Sequence, residues 1–410
     1  MRTVRGPLLT VLVLAAAALA GCGKGGYETP AATNTTRKLV PVAAQGAVSV
    51  ATRNTTRLGG GDVAADAAAV ARAVYPGLTA ATRPLAVVLV NERDWLPALA
   101  ASVLSSAPAG APILFSEGET LPAVTRQTLE AMHPLGAPAL GGAQVIRIGT
   151  AAPVPDGYVT RSVSVGLGLP TVAAAAIEQL AVTLAGGGAP RQVIVVAADA
   201  TDAMAMPAAG LAAESGAPIL FVTRARVPVQ TARVLAGLHQ PSIYVIDEAA
   251  VGHHTLDELH NFGTVKTITR NGLPASSEEA VQNAIEVARF TDGTFGWGVK
   301  EPGHGLVFAN LGRPLDAPAS ALLSATGDYG PLLLLASASQ VPPALTGYLS
   351  DIQPAYSTPQ FPPVRGTYNH GWLIGGEEAI SAVIQAEIDS MLEIRPQSHT
   401  SEEQSVSQVE

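Results

Sequence analysis

Apolar residues in this chain form short, uninterrupted runs that alternate with alanine-rich segments of helical spacing. The runs at 85–90 and 193–196 are apolar at every position, which is typical of parallel strands covered by helices on both faces. Apolar residues with helical spacing occur in five segments, 63–75, 95–104, 121–132, 171–184 and 277–290. The alternation of strand and helix predicts an α/β fold with parallel, doubly wound sheets.

The pattern occurs three times along the chain. A short apolar strand follows Ala-Pro or Gly-Pro at 111–115, 217–221 and 330–334. A Thr-Arg pair precedes each strand at a similar distance, and these pairs are Thr56-Arg57, Thr160-Arg161 and Thr269-Arg270. A period of about a hundred residues is that of an independent core, since solenoid units are roughly 20 to 50 residues long. We therefore expect three lobes, with repeats at 48–151, 152–262 and 263–394.

The N-terminal segment has the layout of a secretory signal. Arg2 and Arg5 precede an apolar run at 8–19 that is short for a bilayer span, and small residues follow it. The ending Leu-Ala-Gly-Cys at 19–22 resembles a bacterial lipobox, which predicts a signal peptide over 1–21 and a diacylglyceryl group, with palmitate, on Cys22. The alternative is an ordinary signal peptide with a chance cysteine.

Cys22 is the only cysteine, so an intrachain disulfide is excluded. Two acyl chains on this residue would anchor the protein stably to the extracytoplasmic face of the cell membrane. Residues 22–47 have the composition of a flexible tether, and residues 395–410 have that of a disordered tail. The predicted protein is therefore a lipoprotein whose folded body lies outside the membrane.

Further motifs accompany the repeated strands. A helix start appears as Leu-Pro-Ala-Leu at 96–99, Thr-Asp-Ala-Met at 201–204 and Leu-Asp-Ala-Pro at 315–318, and Leu-Ile-Gly-Gly follows at 373–376. In this order the motifs resemble the type 2 cell-wall-binding repeat, which occurs in tandem, usually in threes, on surface proteins of Gram-positive bacteria. The resemblance extends from residue 48 to about residue 394. Departures include Pro97, where the family favours Asp, and Val-Ile-Asp at 245–247 in place of paired glycines.

The resemblance implies three flavodoxin-like lobes around a pseudo-threefold axis that hold an anionic wall polymer non-covalently. Arg57, Arg161 and Arg270 each precede a helix start, where a guanidinium and a helix dipole would together favour an anionic ligand. We therefore predict these three residues as ligand-binding. The alternative is that each arginine pairs with a carboxylate inside its own lobe and fixes the loop.

The net charge is −9, and it becomes −11 without Arg2 and Arg5. An acidic surface repels a polyanion unless basic residues converge locally or divalent cations form a bridge, so neutral glycan or protein targets stay open. Nucleic acid is excluded as a partner because no basic stripe with interleaved aromatic residues exists.

The third repeat carries two additional segments, 291–304 and 354–370, which concentrate the scarce aromatic residues of the chain. They contain Trp297, Tyr356 and Tyr368, which we predict as ligand contacts because amphipathic rings on surface loops suit sugars or a protein partner. The alternative is that these rings cap the core of the terminal lobe.

No serine-hydrolase elbow, P-loop or zinc-protease motif is present. The nearest cluster with metal-ligand spacing is His253, His254, Asp257, Glu258 and His260, and we expect no metal and no cofactor. The sequence thus favours a non-enzymatic, lipid-anchored envelope protein that binds wall polymer. Two alternatives remain: a lipoprotein solute receptor of a transporter, in which two lobes close on a small molecule, and an envelope scaffold that binds a protein partner.

Overall fold

The computed structural model describes residues 48–163, 165, 169–269, 276–325, 330–356 and 367–396. The predicted signal peptide and the whole predicted tether, with Cys22, lie outside these residues. In this part of the chain, no helix combines the length and the apolarity that a bilayer crossing requires.

The described residues contain short strands, most of them four to six residues long. They are β1 (Val48–Ala51), β2 (Thr55–Gly59), β3 (Val87–Asn91), β4 (Ile113–Ser116), β5 (Val145–Ile148), β6 (Thr160–Val163), β7 (Gln192–Ala197), β8 (Ile219–Val222), β9 (Ser242–Val245), β10 (Thr264–Thr267), β11 (Gly305–Asn310), β12 (Leu332–Leu335), β13 (Ala355–Tyr356), β14 (His370–Ile374) and β15 (Arg395–Pro396).

The helices alternate with these strands. They are α1 (Val63–Val74), α2 (Trp95–Ala101), α3 (Ala123–Met132), α4 (Pro170–Leu184), α5 (Asp202–Ala205), α6 (Pro207–Ser215), α7 (Val229–Gly237), α8 (Glu248–Val251), α9 (His253–Leu259), α10 (Ser277–Arg289), α11 (Asp316–Ala325), α12 (Pro343–Asp351) and α13 (Ala382–Leu392). Three 3₁₀ turns cover Ala80–Thr82, Ser102–Ser105 and Pro138–Leu140.

Three sheets share one strand order. The first sheet is β4-β3-β5-β6, the second is β8-β7-β9-β10, and the third is β12-β11-β14-β2 with β1 added at its edge. All neighbours pair in parallel except β1 and β2, which are antiparallel. An order of 2-1-3-4 is that of the flavodoxin-like doubly wound fold, so the predicted α/β class with parallel sheets is confirmed.

The sheets divide the chain differently from the sequence repeats. Near the start of the second and third predicted repeats lies a strand that contains the Thr-Arg pair or comes just before it, and this strand pairs into the sheet of the preceding lobe: β6 joins the first sheet and β10 joins the second. The remaining strand, β2, comes from the N-terminal part of the described chain and joins the third sheet beside β14. The three lobes are therefore linked in a closed ring.

The helices that follow the Thr-Arg strands bridge successive lobes. Helix α1 contacts α11 of the third lobe and β4 of the first, α4 contacts α2 and β8, and α10 contacts α5 and β12. The first residues of these three helices are evenly spaced along the chain, at Val63, Pro170 and Ser277. We call α1, α4 and α10 the bridging helices.

At the centre, helices α2, α6 and α11 contact one another, one from each lobe. Their buried faces are rich in alanine, which lets the helix axes approach closely. A Cβ on Gly210 of α6 would lie 2.7 Å from Ser324 Oγ of α11, so only glycine fits at this contact. The small residues of these helices thus allow the three lobes to pack closely against one another.

Candidate functional site

The Thr-Arg pairs were predicted as repeated ligand contacts, and Arg57 is the one whose surroundings the structure describes most fully. Arg57 lies in β2, between β1 on one side and β14 on the other. Its side chain is buried, with the residue only 6% exposed. Burial lowers the pKa of Arg57 from its ordinary value, although nearby Glu377, Glu378 and Asp66 oppose that shift.

The guanidinium of Arg57 is engaged by internal acceptors. Nη1 donates to the carbonyl oxygens of Gly375 and Gly376, both at 2.9 Å, and Nε donates to Gln385 Oε1 at 3.0 Å. Nη2 reaches the Ser381 carbonyl at 3.4 Å. The first Thr-Arg pair therefore binds the Gly-Gly motif of the third repeat, across nearly the whole length of the described chain.

This contact depends on the close approach of two backbone turns. Gly375 has a φ of 100°, and a Cβ there would lie 2.5 Å from Ala379 Cβ. A Cβ on Gly59 would lie 2.6 Å from the Gly375 backbone. The glycines bring the carbonyls within reach of Arg57, which is the physical role of the Leu-Ile-Gly-Gly motif in this lobe.

A second polar cluster lies beside Arg57 and joins the first bridging helix to the third lobe. Arg313, in the loop after β11, donates from Nη2 to Asp66 Oδ2 and from Nε to Asp316 Oδ2, the latter at 2.8 Å. Gly60 N donates to Asp66 Oδ1 at 2.7 Å. Both aspartates are fully buried.

The two carboxyl groups of this cluster bind one guanidinium between them, and both are buried. Asp316 Oδ1 is buried and has no hydrogen-bond partner among the described residues, and one guanidinium balances only one negative charge, so we infer that the pair shares one proton. Burial, followed by the charge of Asp316, raises the pKa of Asp66, and burial raises the pKa of Asp316. One proton on the pair leaves a neutral cluster of one carboxylate and one guanidinium.

Arg161 has different surroundings. It lies in β6, at the edge of the first sheet, and its side chain is exposed. It makes no hydrogen bond or ion pair with the described part of the chain. Of the two predicted arginines that the structure describes, Arg161 is exposed and Arg57 is buried.

The sheet registers also show that Arg57 and Arg161 are not equivalent positions. The third strand of each sheet is followed by a residue with positive φ, which is Gly149, Asp247 or Gly375. Two residues before it, Leu373 pairs with Arg57 in the third sheet, whereas Arg147 pairs with Ser162 in the first. Ser162, and not Arg161, therefore occupies in the first sheet the register position that Arg57 occupies in the third. Because successive residues of a strand face opposite sides of the sheet, Arg161 and Arg57 face opposite sides.

In the second sheet the position of Arg57 is taken by Thr267, which pairs with Val245. Arg270 lies outside the described residues. Thr269, the other member of its pair, is buried; its hydroxyl donates to Asn283 Oδ1 at 2.6 Å and accepts from Asp247 N at 2.8 Å. Asn283 in turn donates to the Met204 carbonyl at 2.8 Å, which joins the bridging helix α10 to α5 of the second lobe.

The arrangement of three such lobes was compared with known proteins. No protein-family model matches the sequence, and no curated protein sequence matches it. Two clostridial cell wall proteins share the fold. Cwp6 from Clostridium difficile superposes with a TM-score of 0.60 at 17% identity over 84% of this chain, and Cwp8 from the same organism does so with 0.60 at 16% identity over 83%. This chain spans about half the length of each, 51% and 52%.

The three predicted aromatic contacts lie in different surroundings. Trp297 is half-buried, packs against the core and has a buried Nε1 with no partner among the described residues. Tyr356 is half-buried and lies in β13, which pairs with β15. Since β15 consists of Arg395 and Pro396, the first two residues of the tail predicted to be disordered form a short strand. Tyr368 is 62% exposed.

The first aromatic segment is joined to the second lobe. The ring of Phe295 stacks on Tyr244, with centroids 3.9 Å apart. Asp292 accepts hydrogen bonds from Tyr244 Oη at 2.8 Å and Lys266 Nζ at 2.6 Å, and the Lys266 contact lowers the pKa of Asp292. This part of the segment therefore covers the end of the second sheet.

Two residues of the histidine-rich segment at 253–260 have polar contacts within the same lobe. Glu258 Oε2 accepts a hydrogen bond from Val227 N at 2.8 Å, and His260 Nδ1 lies 2.8 Å from the Leu256 carbonyl. Within the described ranges, no three His, Cys, Asp or Glu side chains form a group that could hold a metal ion.

Sequence reasoning missed Asp66, Arg313 and Gln385, which complete the polar contacts around Arg57. Asp66 carried a signal, because it is a lone carboxylate in an alanine-rich helix whose neighbours are all small and apolar. Such a residue is seldom fully buried without a partner. The partner itself follows 247 residues later and could not be named from spacing.

Proposed function

We propose that this chain is a non-enzymatic protein of the cell envelope whose three-lobed body binds an anionic envelope polymer non-covalently. The observation that carries the proposal is the closed ring of three sheets with one strand order, a fold it shares with two cell wall proteins. The order of the Thr-Arg, Ala-Pro-Ile-Leu and Gly-Gly motifs gives independent support, because it resembles that of a cell-wall-binding repeat.

Arg161 is the residue that we assign to polymer binding. Its guanidinium is exposed, and it makes no internal hydrogen bond that a ligand would have to break. Arg57 has the opposite properties, and exposed Glu377 and Glu378 lie near it, so the surface above Arg57 repels an anion. We therefore place the polymer on the first lobe and assign a structural role to Arg57.

The proposed contact is tested by sedimentation with purified Gram-positive cell walls. Arg161→Ala should weaken binding several-fold, and Arg161→Lys should restore only part of it because an ammonium lacks the planar fork of a guanidinium. Arg126→Ala is the matched control, since Arg126 is an exposed arginine on α3. Equal loss in Arg126→Ala and Arg161→Ala would reduce the effect to net charge and remove Arg161 from the site.

The polymer class is tested on the same walls. Mild hydrofluoric acid removes phosphodiester-linked polymers, and binding should disappear after this treatment if the ligand is anionic. Binding should also weaken as salt is raised, because screening reduces contacts between exposed charges. Binding that survives both treatments would point to the neutral glycan instead.

We also propose that the body is held at the membrane by lipid on Cys22. The lipobox-like ending of the N-terminal apolar run supports this, and Cys22 supplies the only thiol in the chain. Cys22→Ser should abolish incorporation of labelled palmitate and release the protein from the membrane fraction. Retention of the label in that variant would exclude Cys22 as the acylated residue.

A solute receptor is less well supported as a function. Such a receptor closes two lobes on one cleft, whereas here three sheets of equal order are joined by three bridging helices. A thermal-shift screen of metabolites against wall fragments separates the two functions. Stabilisation by wall fragments supports polymer binding, and stabilisation by metabolites alone would favour the receptor.

A further inference from the structure

A cavity of about 200 Å³ lies between the first and second lobes. Its apolar walls come from the 3₁₀ turn after α2, from the bridging helix α4 and from the turns before β7 and β8. They include Val103, Leu104, Ala181, Val182, Pro190 and Pro218. Exposed residues at one side, Ala107, Pro108, Ala185 and Gly188, open the cavity to solvent.

Glu178 is the one ionisable residue among those that line this cavity. It is 1% exposed, and its Oε2 accepts a hydrogen bond from Gln179 Nε2 at 2.9 Å. No cation among the described residues forms an ion pair with it. A buried carboxylate without a cation is unfavourable by several kcal/mol in general terms, and burial accordingly raises the pKa of Glu178.

The other bridging helices show that packing does not require this carboxylate. Glu178 is the ninth residue of α4, and the ninth residues of α1 and α10 are Ala71 and Ile285. Both of these are buried and apolar. An apolar residue at this position therefore suffices to join two lobes, and the carboxylate of α4 is unexplained by the fold.

The polar groups of the cavity wall are hydrogen-bond acceptors, so a ligand there must be a donor. Glu178 supplies carboxyl oxygens, and the Ser106 hydroxyl donates its proton to the Val103 carbonyl at 2.7 Å, which leaves its lone pairs as acceptors. The volume is slightly larger than a cavity of about 150 Å³ that accepts benzene. The occupant is thus limited to one ring or a short aliphatic chain.

We propose that this cavity binds a small protonated amine with an apolar body, its ammonium group paired with Glu178 and its body packed between the two lobes. A ligand of this kind supplies the missing cation and fills the apolar walls at the same time. An anion is excluded by the carboxylate. The proposal goes beyond envelope binding and does not rest on it.

The test compares three probes of one shape on the full chain by isothermal titration calorimetry near neutral pH. Benzylammonium should bind with one-to-one stoichiometry and about tenfold more tightly than benzyl alcohol, and benzoate should not bind. Glu178→Gln should weaken benzylammonium by about tenfold and leave benzyl alcohol within about twofold. Glu387→Gln, at an exposed glutamate of α13, is the matched control.

A second variant tests the cavity itself. Ala181→Leu should fill it and abolish binding of both benzylammonium and benzyl alcohol, while the melting temperature stays the same or rises. The proposal is overturned if no probe binds at about 10 mM, if benzylammonium binds no better than the alcohol, or if Glu178→Gln and Ala181→Leu leave its affinity unchanged.

Discussion

Strands β2 and β6 carry the same Thr-Arg pair in the sequence, yet the structure gives them opposite environments. β2 is the fourth strand of its sheet and is covered by β1 at its outer edge, so nearly all of its residues are buried. β6 is the outermost strand of its sheet, and none of its residues is buried. The added strand and the one-residue difference in register together leave Arg57 in the core and Arg161 at the surface.

The N-terminal strand is held in place by the C-terminal helix. Asp389 of α13 accepts hydrogen bonds from Asn54 N at 2.7 Å and from Thr52 Oγ1 at 2.5 Å, and Gln385 of the same helix accepts from Arg57. The first lobe has no corresponding cover over β6 among the described residues. A motif repeated in a sequence thus need not be a site repeated in the structure.

The largest difference is expected when the two arginines are removed. Arg57→Ala should lower the free energy of unfolding by about 3 kcal/mol, because it leaves the Gly375 carbonyl and Gln385 Oε1 buried without their donor. Arg161→Ala should change it by less than about 0.5 kcal/mol, as is usual for an exposed residue. Urea denaturation of both variants measures this, and equal losses would contradict the contrast between the two strands.

A smaller difference is expected between the glycines that end the third strands. Gly375→Ala should destabilise by about 2 kcal/mol, because φ is 100° and the new methyl would meet Ala379 Cβ. Gly149→Ala should destabilise by about 1 kcal/mol, since φ is 64°, within the left-handed helical region, and its nearest neighbour is the end of the Asp94 side chain. Melting temperatures compare the two variants, and a larger loss for Gly149→Ala would reverse the order.

The smallest effect concerns pH. The folded-state pKa of Asp66 and of Asp316 is raised above the ordinary value, so the stability that the shared proton provides is complete below about pH 4 and is lost as pH rises through the raised values. In Asp316→Asn, the amide oxygen still accepts from Arg313, and the neutral amide takes the place of the protonated carboxyl group. The free energy of unfolding of this variant, relative to that of wild type, should be about 1 kcal/mol higher at pH 8 than at pH 5.

Asp66→Asn is the informative counterpart of that variant. The NH₂ group of its amide is a donor and would face another donor, either Gly60 N–H or the guanidinium of Arg313. The variant should therefore be destabilised at both pH values. Asp257→Asn, at an exposed aspartate of α9, controls for the change of residue type. The free energy of unfolding of wild type and of Asp316→Asn is measured at pH 5 and at pH 8. An equal change between the two pH values in both proteins would rule out the shared proton.

The sequence predicted much of the local structure, because apolar spacing and capping residues determine it. The bridging helices were predicted to within a residue or two of their observed ends, and a capping box of Ser276 and Glu279 begins α10. The apolar runs became central strands, as at Val87–Asn91 and Gln192–Ala197.

The partners of the strands could not be predicted in the same way. An apolar run is compatible with any neighbour in a parallel sheet, so nothing in β2 indicates that it pairs with β14 rather than with a strand of the first lobe. A shift of one residue in register moves a side chain to the other face. This is why Arg161, although in phase with Arg57 in the sequence, faces the opposite side of its sheet.

The closed ring has a consequence for the order in which the chain folds. During synthesis β1 and β2 are made before the other strands of the third sheet, while β14, the parallel partner of β2, and helix α13 come last. The bond from Arg57 to Gln385 joins residues 328 positions apart. The first two sheets need only neighbouring segments, so they are able to form as the chain emerges. In the third sheet, β1 and β2 pair with each other but must wait for β14 until the end, and contacts so distant in sequence form slowly. The lobe that holds the ring shut is therefore the one that the newly made chain completes last.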